Sequence, residues 1–235
     1  MKKSNVFTVG VLCLCMLGTA GCNSMTNMGK GALIGGGGGA AAGAGIGALI
    51  GGGKGAGIGA AIGAVVGAGA GTLIGRKMDK QKKELEQQLA DKAAVETVTD
   101  QNGLQAIKVT FNGGILFPTN GTTLNQGARN DLTQFAHSLL NNPETNVQIF
   151  GYTDDTGSYQ VNERVSTGRA DAVRTFLLNS GVAASRLSAE GLPMQDYVAS
   201  NATPEGRAQN RRVEIYITAN KQMIQQAENG TLAMN

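Results

Sequence analysis

GYTDDTGSYQVNERVSTGRADAVRTFL, residues 151–177, concentrates charge, glycine and helical periodicity in one short stretch. NVQIFG (Asn146–Gly151) leads into it as a strand that ends at Tyr152, and Thr153-Asp154-Asp155-Thr156-Gly157 then reads as a turn. From Gln160 to Asn179 an amphipathic helix is predicted. Val161, Val165, Val173, Phe176 and Leu177 face inward, and Gly181 stands where a helix cap belongs. Asn162, Val165, Ser166 and Arg169 share one helix face, which can point toward the loop carrying Asp154. An acid and a base across one concavity suit a ligand with an ammonium and a carboxylate on the same carbon. Asp154 takes the ammonium, and the two-pronged guanidinium of Arg169 takes the carboxylate. On spacing alone, an internal Asp–Arg salt bridge with no ligand is the plainer reading.

The flanking sequence extends this unit into a domain. VETVTDQNGLQAIKVTF (Val95–Phe111) reads as two strands around a Gln101-Asn102-Gly103 turn. Leu124 to Asn142 places Ala128, Leu132, Phe135, Ala136, Leu139 and Leu140 at helical spacing, and Pro143 stops it. Arg186–Gly191 and Arg212–Ile217 supply two more strands. Strands alternating with helices over residues 95–218 predict an α/β sandwich, α+β in layering, with helices packed on one face of a mixed sheet. The polar residues 219–235 are expected to form a flexible tail.

Upstream, glycine recurs at every fourth position from Gly31 to Gly75 without a break. Each helical glycine costs about 0.5–1 kcal/mol relative to alanine in water, so an isolated solvated helix should not form here. In a bilayer the backbone must satisfy its own hydrogen bonds, which favours helix. Lys54 divides the run into 31–53 and 55–75, each a helix of roughly 30–35 Å. Small residues at this step let two helices approach closely, so 31–75 reads as a glycine-zipper, membrane-associated helical hairpin able to pair within or between chains. A flexible linker and a Gly/Ala-rich sheet compete with that reading. Ser, Asn and charge, usual in linkers, are nearly absent, and a one-faced strand would split the pairs Leu33-Ile34, Leu49-Ile50, Val65-Val66 and Leu73-Ile74. GGGKG lacks the Ser or Thr that follows lysine in a phosphate loop. The mixed charges of RKMDKQKKELEQQLADKAA (76–94) predict a solvated helical linker.

The chain opens with Lys2 and Lys3, an apolar run from Val6 to Leu17, and small residues before Cys22, the pattern of an export signal over 1–21. Thr19-Ala20-Gly21-Cys22 resembles the bacterial lipobox, although Thr19 stands where Leu is usual, and a plain signal-peptidase cut after Ala20 fits too. Of the three cysteines, Cys13 and Cys15 fall in the removed segment. Cys22 is then left without a disulfide partner, as acylation at a lipidated N-terminus over 22–30 would explain.

Charge and composition bound the remaining function classes. Of 235 residues 4% are aromatic, none is Trp, and the net charge is +3, with no basic patch of the kind that binds nucleic acid. Asp154 and Asp155 are adjacent, whereas glycosidase carboxyls face each other across a cleft. His137 is the single histidine and falls on the outer side of its helix. A Cys–His nucleophile and a zinc site both lack parts, and DDTGSYQVNE does not fit a calcium loop. Catalytic residues, metal ligands and cofactors are therefore expected to be none.

The stretch 151–177, together with ILFPTN at 115–120 and TPEGRAQNRRVEI at 203–215, closely resembles the C-terminal peptidoglycan-binding domain of the outer-membrane protein A family. That domain occurs also in peptidoglycan-associated lipoproteins and flagellar stator subunits, and the resemblance covers roughly residues 104–218. With its signal and glycine ridge, the chain looks like the YiaD-type lipoproteins of that family. The resemblance implies non-covalent capture of the meso-diaminopimelate side chain of the cell-wall stem peptide. Asp154 and Arg169 would be the main ligands, with Asn120, Thr153, Asn162 and Arg211 completing the pocket wall. Lysine-type walls lack the carboxylate that Arg169 would hold. Val165 replaces the family's usual Leu, Pro118 stands where Asp is common, and Leu192-Pro193 with Tyr197 alters a loop. The expected partners are peptidoglycan and membrane lipid, the latter through Cys22 and residues 31–75. The expected location is the outer membrane, with the C-terminal domain in the periplasm. A membrane pore or assembly platform built by the glycine zipper, with the wall-binding domain as a tether, is the alternative.

Overall fold

The computed structural model describes residues 66–234, with residues 101 and 119 excepted. The signal segment, Cys22 and the hairpin up to residue 65 lie outside the described residues. Five strands form one sheet: β1 (Ala93–Thr99), β2 (Gln105–Asn112), β3 (Thr145–Tyr152), β4 (Leu187–Leu192) and β5 (Arg212–Ala219). Their spatial order is β1-β2-β5-β3-β4. Every neighbouring pair is antiparallel except β3 and β4, which run parallel.

Period-two alternation decides which face is covered. Ile107, Val109, Phe111, Val147, Ile149, Val213, Ile215 and Ile217 point to one side and are buried in the main core. The helices on that side are α1 (Ala68–Gln88), α3 (Gln126–Asn141), α4 (Tyr159–Asn179) and α6 (Lys221–Glu228); two shorter ones, α2 (Gly113–Leu116) and α5 (Pro204–Asn210), lie in the connections. The opposite face holds a smaller cluster of Ala106, Phe150, Tyr152, Leu192 and Tyr216. This is the predicted sandwich with helices on one side of a mixed sheet.

Two expectations at its edges are corrected. The charged segment 76–94 is not a solvated linker, because α1 runs through the expected boundary at Gly75 and docks on the domain. Ile74, Met78, Leu85 and Leu89 recur at steps of four and seven residues, and all are fully buried. That apolar stripe outweighs the exposed charges on the rest of the helix. Ala70 and Ile74, near the end of the glycine run, are thus buried in protein. Among the described residues no helix is long and apolar enough to cross a membrane.

The tail after residue 219 is likewise ordered into α6. Asn220 accepts a hydrogen bond from the Met223 amide, and Met223, Ile224, Ala227 and Leu232 are buried. Lys77 ties this end to α1: its ammonium donates to Glu144 Oε1 at 3.3 Å and to the Ala233 carbonyl at 3.0 Å. On α4 the inward set also differs. Val161, expected inside, is exposed, while Asn162, Ser166, Arg169, Ala170, Val173 and Leu177 are buried.

Candidate functional site

The site forms where β3 gives way to α4. Ser158 caps the helix by accepting from the Val161 amide, and Gly157 takes the left-handed conformation at φ 91° just before it. Two glycines set how closely α4 lies on the sheet. A Cβ at Gly151 would penetrate the Ser166 carbonyl, and one at Gly191 would strike the Thr167 amide. Only glycine at these strand positions lets the helix backbone rest against the parallel pair β3–β4. The polar face of α4 is thereby carried down to the loop that follows β3.

That loop is held by its own polar groups. Asp154 Oδ1 accepts from the Thr156 amide at 3.0 Å, and the Asn162 side-chain amide donates to the carbonyls of Thr156 and Ser158. Thr153 Oγ1 accepts from the Met194 amide, joining the loop to the turn after β4. In that turn Met194 and Asp196 adopt positive φ of 53° and 51°. The altered Leu192-Pro193 segment thus has a strained but defined shape.

Three charges meet here. Asp154 is 5% exposed, and its Oδ2 accepts from Arg211 Nη1 at 2.5 Å. Arg169 is 4% exposed; its Nε donates to the Gly121 carbonyl at 3.0 Å, and its guanidinium lies 5.3 Å from the Phe117 ring centroid. Nη1 of Arg169 is buried and has no hydrogen-bond partner among the described residues. A buried, unpaired N–H on a cation is unfavourable, and a carboxylate supplied from outside would satisfy it.

The electrostatics agree with this division. Burial pushes the Asp154 carboxyl up, but the Thr156 amide and Arg211 guanidinium outweigh it, leaving its pKa below the ordinary value. Burial and then the neighbouring Arg211 lower the Arg169 pKa, and Asp154 opposes them in part. Burial, then Asp155 and Asp154, raise the pKa of Tyr197, whose exposed ring stands beside the acidic loop.

Most of the predicted site residues are connected by contacts. Asp154 and Arg211 bond directly, Asn162 braces the loop of Asp154, and Thr153 fixes that loop to its neighbour. The internal Asp–Arg salt bridge that spacing also allowed exists, with Arg211 instead of Arg169 as its partner. Asn120 is exposed at φ 56° and immediately precedes Gly121, whose carbonyl holds Arg169. Sequence reasoning missed Phe117 as the ring beneath Arg169. It also missed Gly113, whose amide donates to the Arg211 carbonyl at 2.7 Å and where a Cβ would collide with that carbonyl. Phe117 stood inside the ILFPTN motif, yet nothing in its spacing linked it to Arg169, 52 residues downstream.

Residues 116–211 match the OmpA family, and residues 1–79 match the YMGG-like Gly-zipper family. The chain is similar to probable lipoprotein YiaD of Escherichia coli (strain K12), 37% identical over 145 residues, which are 62% of this chain and 64% of that one. It is also similar to peptidoglycan-binding protein ArfA of Mycobacterium tuberculosis, 42% identical over 112 residues, 48% of this chain and 34% of that one. The chain thus spans less than two thirds of either relative's length. Among solved structures, the cell wall anchor of the T6SS from Pseudomonas aeruginosa superimposes with a TM-score of 0.51 at 30% identity, covering 58% of this chain and 97% of that one. Residues 116–211, with their sheet order and helices on one face, are thus similar to the OmpA family, and residues 1–79 are similar to the YMGG-like Gly-zipper family.

Proposed function

We propose that this chain is a non-enzymatic lipoprotein that ties the outer membrane to peptidoglycan. The domain grips, without a covalent bond, the zwitterionic end of meso-diaminopimelate in the stem peptide, and Cys22 with residues 31–75 holds the membrane. The observation that carries this reading is the buried, unpartnered Nη1 of Arg169 beside the buried carboxylate of Asp154. Together they offer one anion subsite and one cation subsite to a single carbon bearing both charges. Each charge-assisted hydrogen bond contributes about 1.5–3 kcal/mol, so losing either subsite should weaken capture at least tenfold. The names borne by the relatives, a peptidoglycan-binding protein and a cell wall anchor, support the wall as partner. The domain acts from the periplasm in this account.

Sedimentation with purified diaminopimelate-type sacculi tests it. The wild-type chain should pellet, while Asp154→Ala and Arg169→Ala should remain in the supernatant. Equal pelleting of all three rejects the site. The unbroken four-residue glycine step supports a second reading, in which 31–75 assembles into a membrane pore or platform and the domain serves as its tether. Leakage from liposomes carrying the full chain, lost when alternate ridge glycines become leucine, would favour it.

A further inference from the structure

We propose that Arg211 occupies the ammonium subsite in the free protein and so sets ligand specificity, yielding Asp154 only to a ligand that satisfies Arg169 at the same time. This rests on the zwitterion reading of the site. The two subsites are unequal in the structure. Both Asp154 oxygens are engaged, Oδ1 by the Thr156 amide and Oδ2 by Arg211, whereas Nη1 of Arg169 has no partner among the described residues. The cation position is filled by the chain itself, whereas the buried Nη1 at the anion position lacks a partner among the described residues.

Arg211 is built to leave without disturbing the fold. Its amide donates to the Arg207 carbonyl at 3.1 Å and its carbonyl accepts from the Gly113 amide at 2.7 Å, so its backbone is fixed. Its side chain is 41% exposed, against 8% for that of Asp154. The guanidinium can therefore rotate into water, while the carboxylate cannot follow it.

Specificity follows from the exchange. An ammonium arriving alone replaces one cation by another at Asp154, and little is gained. A ligand carrying a carboxylate on the same carbon also pairs the orphaned Nη1 of Arg169, and that new bond drives the displacement. A bare amine, such as the end of a lysine side chain, is rejected because Arg211 already holds its place. In this account the discrimination first assigned to Arg169 is shared, with Arg169 rewarding the carboxylate and Arg211 excluding the amine that lacks one.

The test compares meso-diaminopimelate with 1-aminopentane, which has the ammonium but no carboxylate, by NMR titration of the full chain in detergent micelles. The wild type should bind diaminopimelate and show no saturable shift with 1-aminopentane. Arg211→Gln should gain 1-aminopentane binding, lowering the preference for diaminopimelate by about tenfold, and Arg211→Lys should restore the preference. Arg211→Gln that loses diaminopimelate with no gain for the amine would make Arg211 a direct ligand and overturn the proposal, as would an unchanged preference. The wild type gives a readout that needs no variant. The side-chain 15N signal of Arg211 should pass from hydrogen-bonded to solvent-exchanging as diaminopimelate saturates, and a guanidinium that stays on Asp154 in the complex overturns the proposal. Wild-type protein that fails to bind diaminopimelate at all refutes the zwitterion reading itself, a result separate from any outcome at Arg211.

Discussion

Leu85→Ala probes whether the charged helix belongs to the folded domain. Leu85 is fully buried on α1, within the same core as Ile74, Met78 and Leu89. Truncating a buried leucine removes its transfer free energy and leaves a cavity, a loss of about 2–5 kcal/mol. For a domain of this size each kcal/mol lowers Tm by about 2–4 °C, so a mid-range loss of ~3 kcal/mol predicts a fall of about 6–12 °C. The assay is thermal and urea unfolding followed by tyrosine fluorescence. All four tyrosines lie between residues 152 and 216, so the signal reports on the domain. The control is Glu86→Ala on the same helix. Glu86 is exposed and paired with Lys82 one turn back, so its loss should change stability by no more than about 0.5 kcal/mol. If Leu85→Ala behaves like its neighbour, α1 is a solvated stalk after all and its docking is wrong.

Three further outcomes follow from the geometry. Gly151→Ala forces a Cβ into the Ser166 carbonyl and should destabilise the domain by roughly 3 kcal/mol or more, with lost sacculus binding, read by urea unfolding and pelleting. Asp154 has a folded-state pKa below its unfolded value near ~3.9, so it contributes stability above that pH and loses it as pH falls through the folded value; the stability gap between wild type and Asp154→Asn should therefore close in acid, measured as Tm against pH. Arg186 donates to the carbonyls of Leu139, Asn142 and Thr145, and a lysine cannot span all three; Arg186→Lys should cost about 1–3 kcal/mol in urea unfolding without changing binding by the remaining folded protein.

The elements that sequence made legible are those where one periodicity acts alone. The alternation in AIKVTF and RVEIYI and the glycine at 103 leave little choice of strand or turn, and β1, β2 and β5 form as expected. Where charge and apolar residues share one helix, composition misled. The mixed signs of 76–94 concealed the stripe of Met78, Leu85 and Leu89, and the polar tail concealed Met223, Ile224 and Ala227. At the site, Asp154 and the polar face of α4 could be read from spacing because they are neighbours in the chain. The partner that Asp154 takes could not, since Arg211 lies 57 residues away and reaches it only through the pairing of β3 with β5. Phe117 was hidden for the same reason, as was Arg186, whose three carbonyl acceptors lie more than 40 residues upstream. Long-range partners chosen by sheet order leave no local periodic trace.

The central claim is that one buried guanidinium uses its unpartnered Nη1 to take a carboxylate while an acid beside it receives the matching ammonium. Side-chain and amide 15N spectra of the wild-type chain, titrated with free meso-diaminopimelate, address it directly. The account predicts saturable shifts at the Arg169 guanidinium and at the Thr153–Thr156 amides, with the same midpoint for both. Shifts confined to other surfaces, or none at saturating ligand, would contradict it.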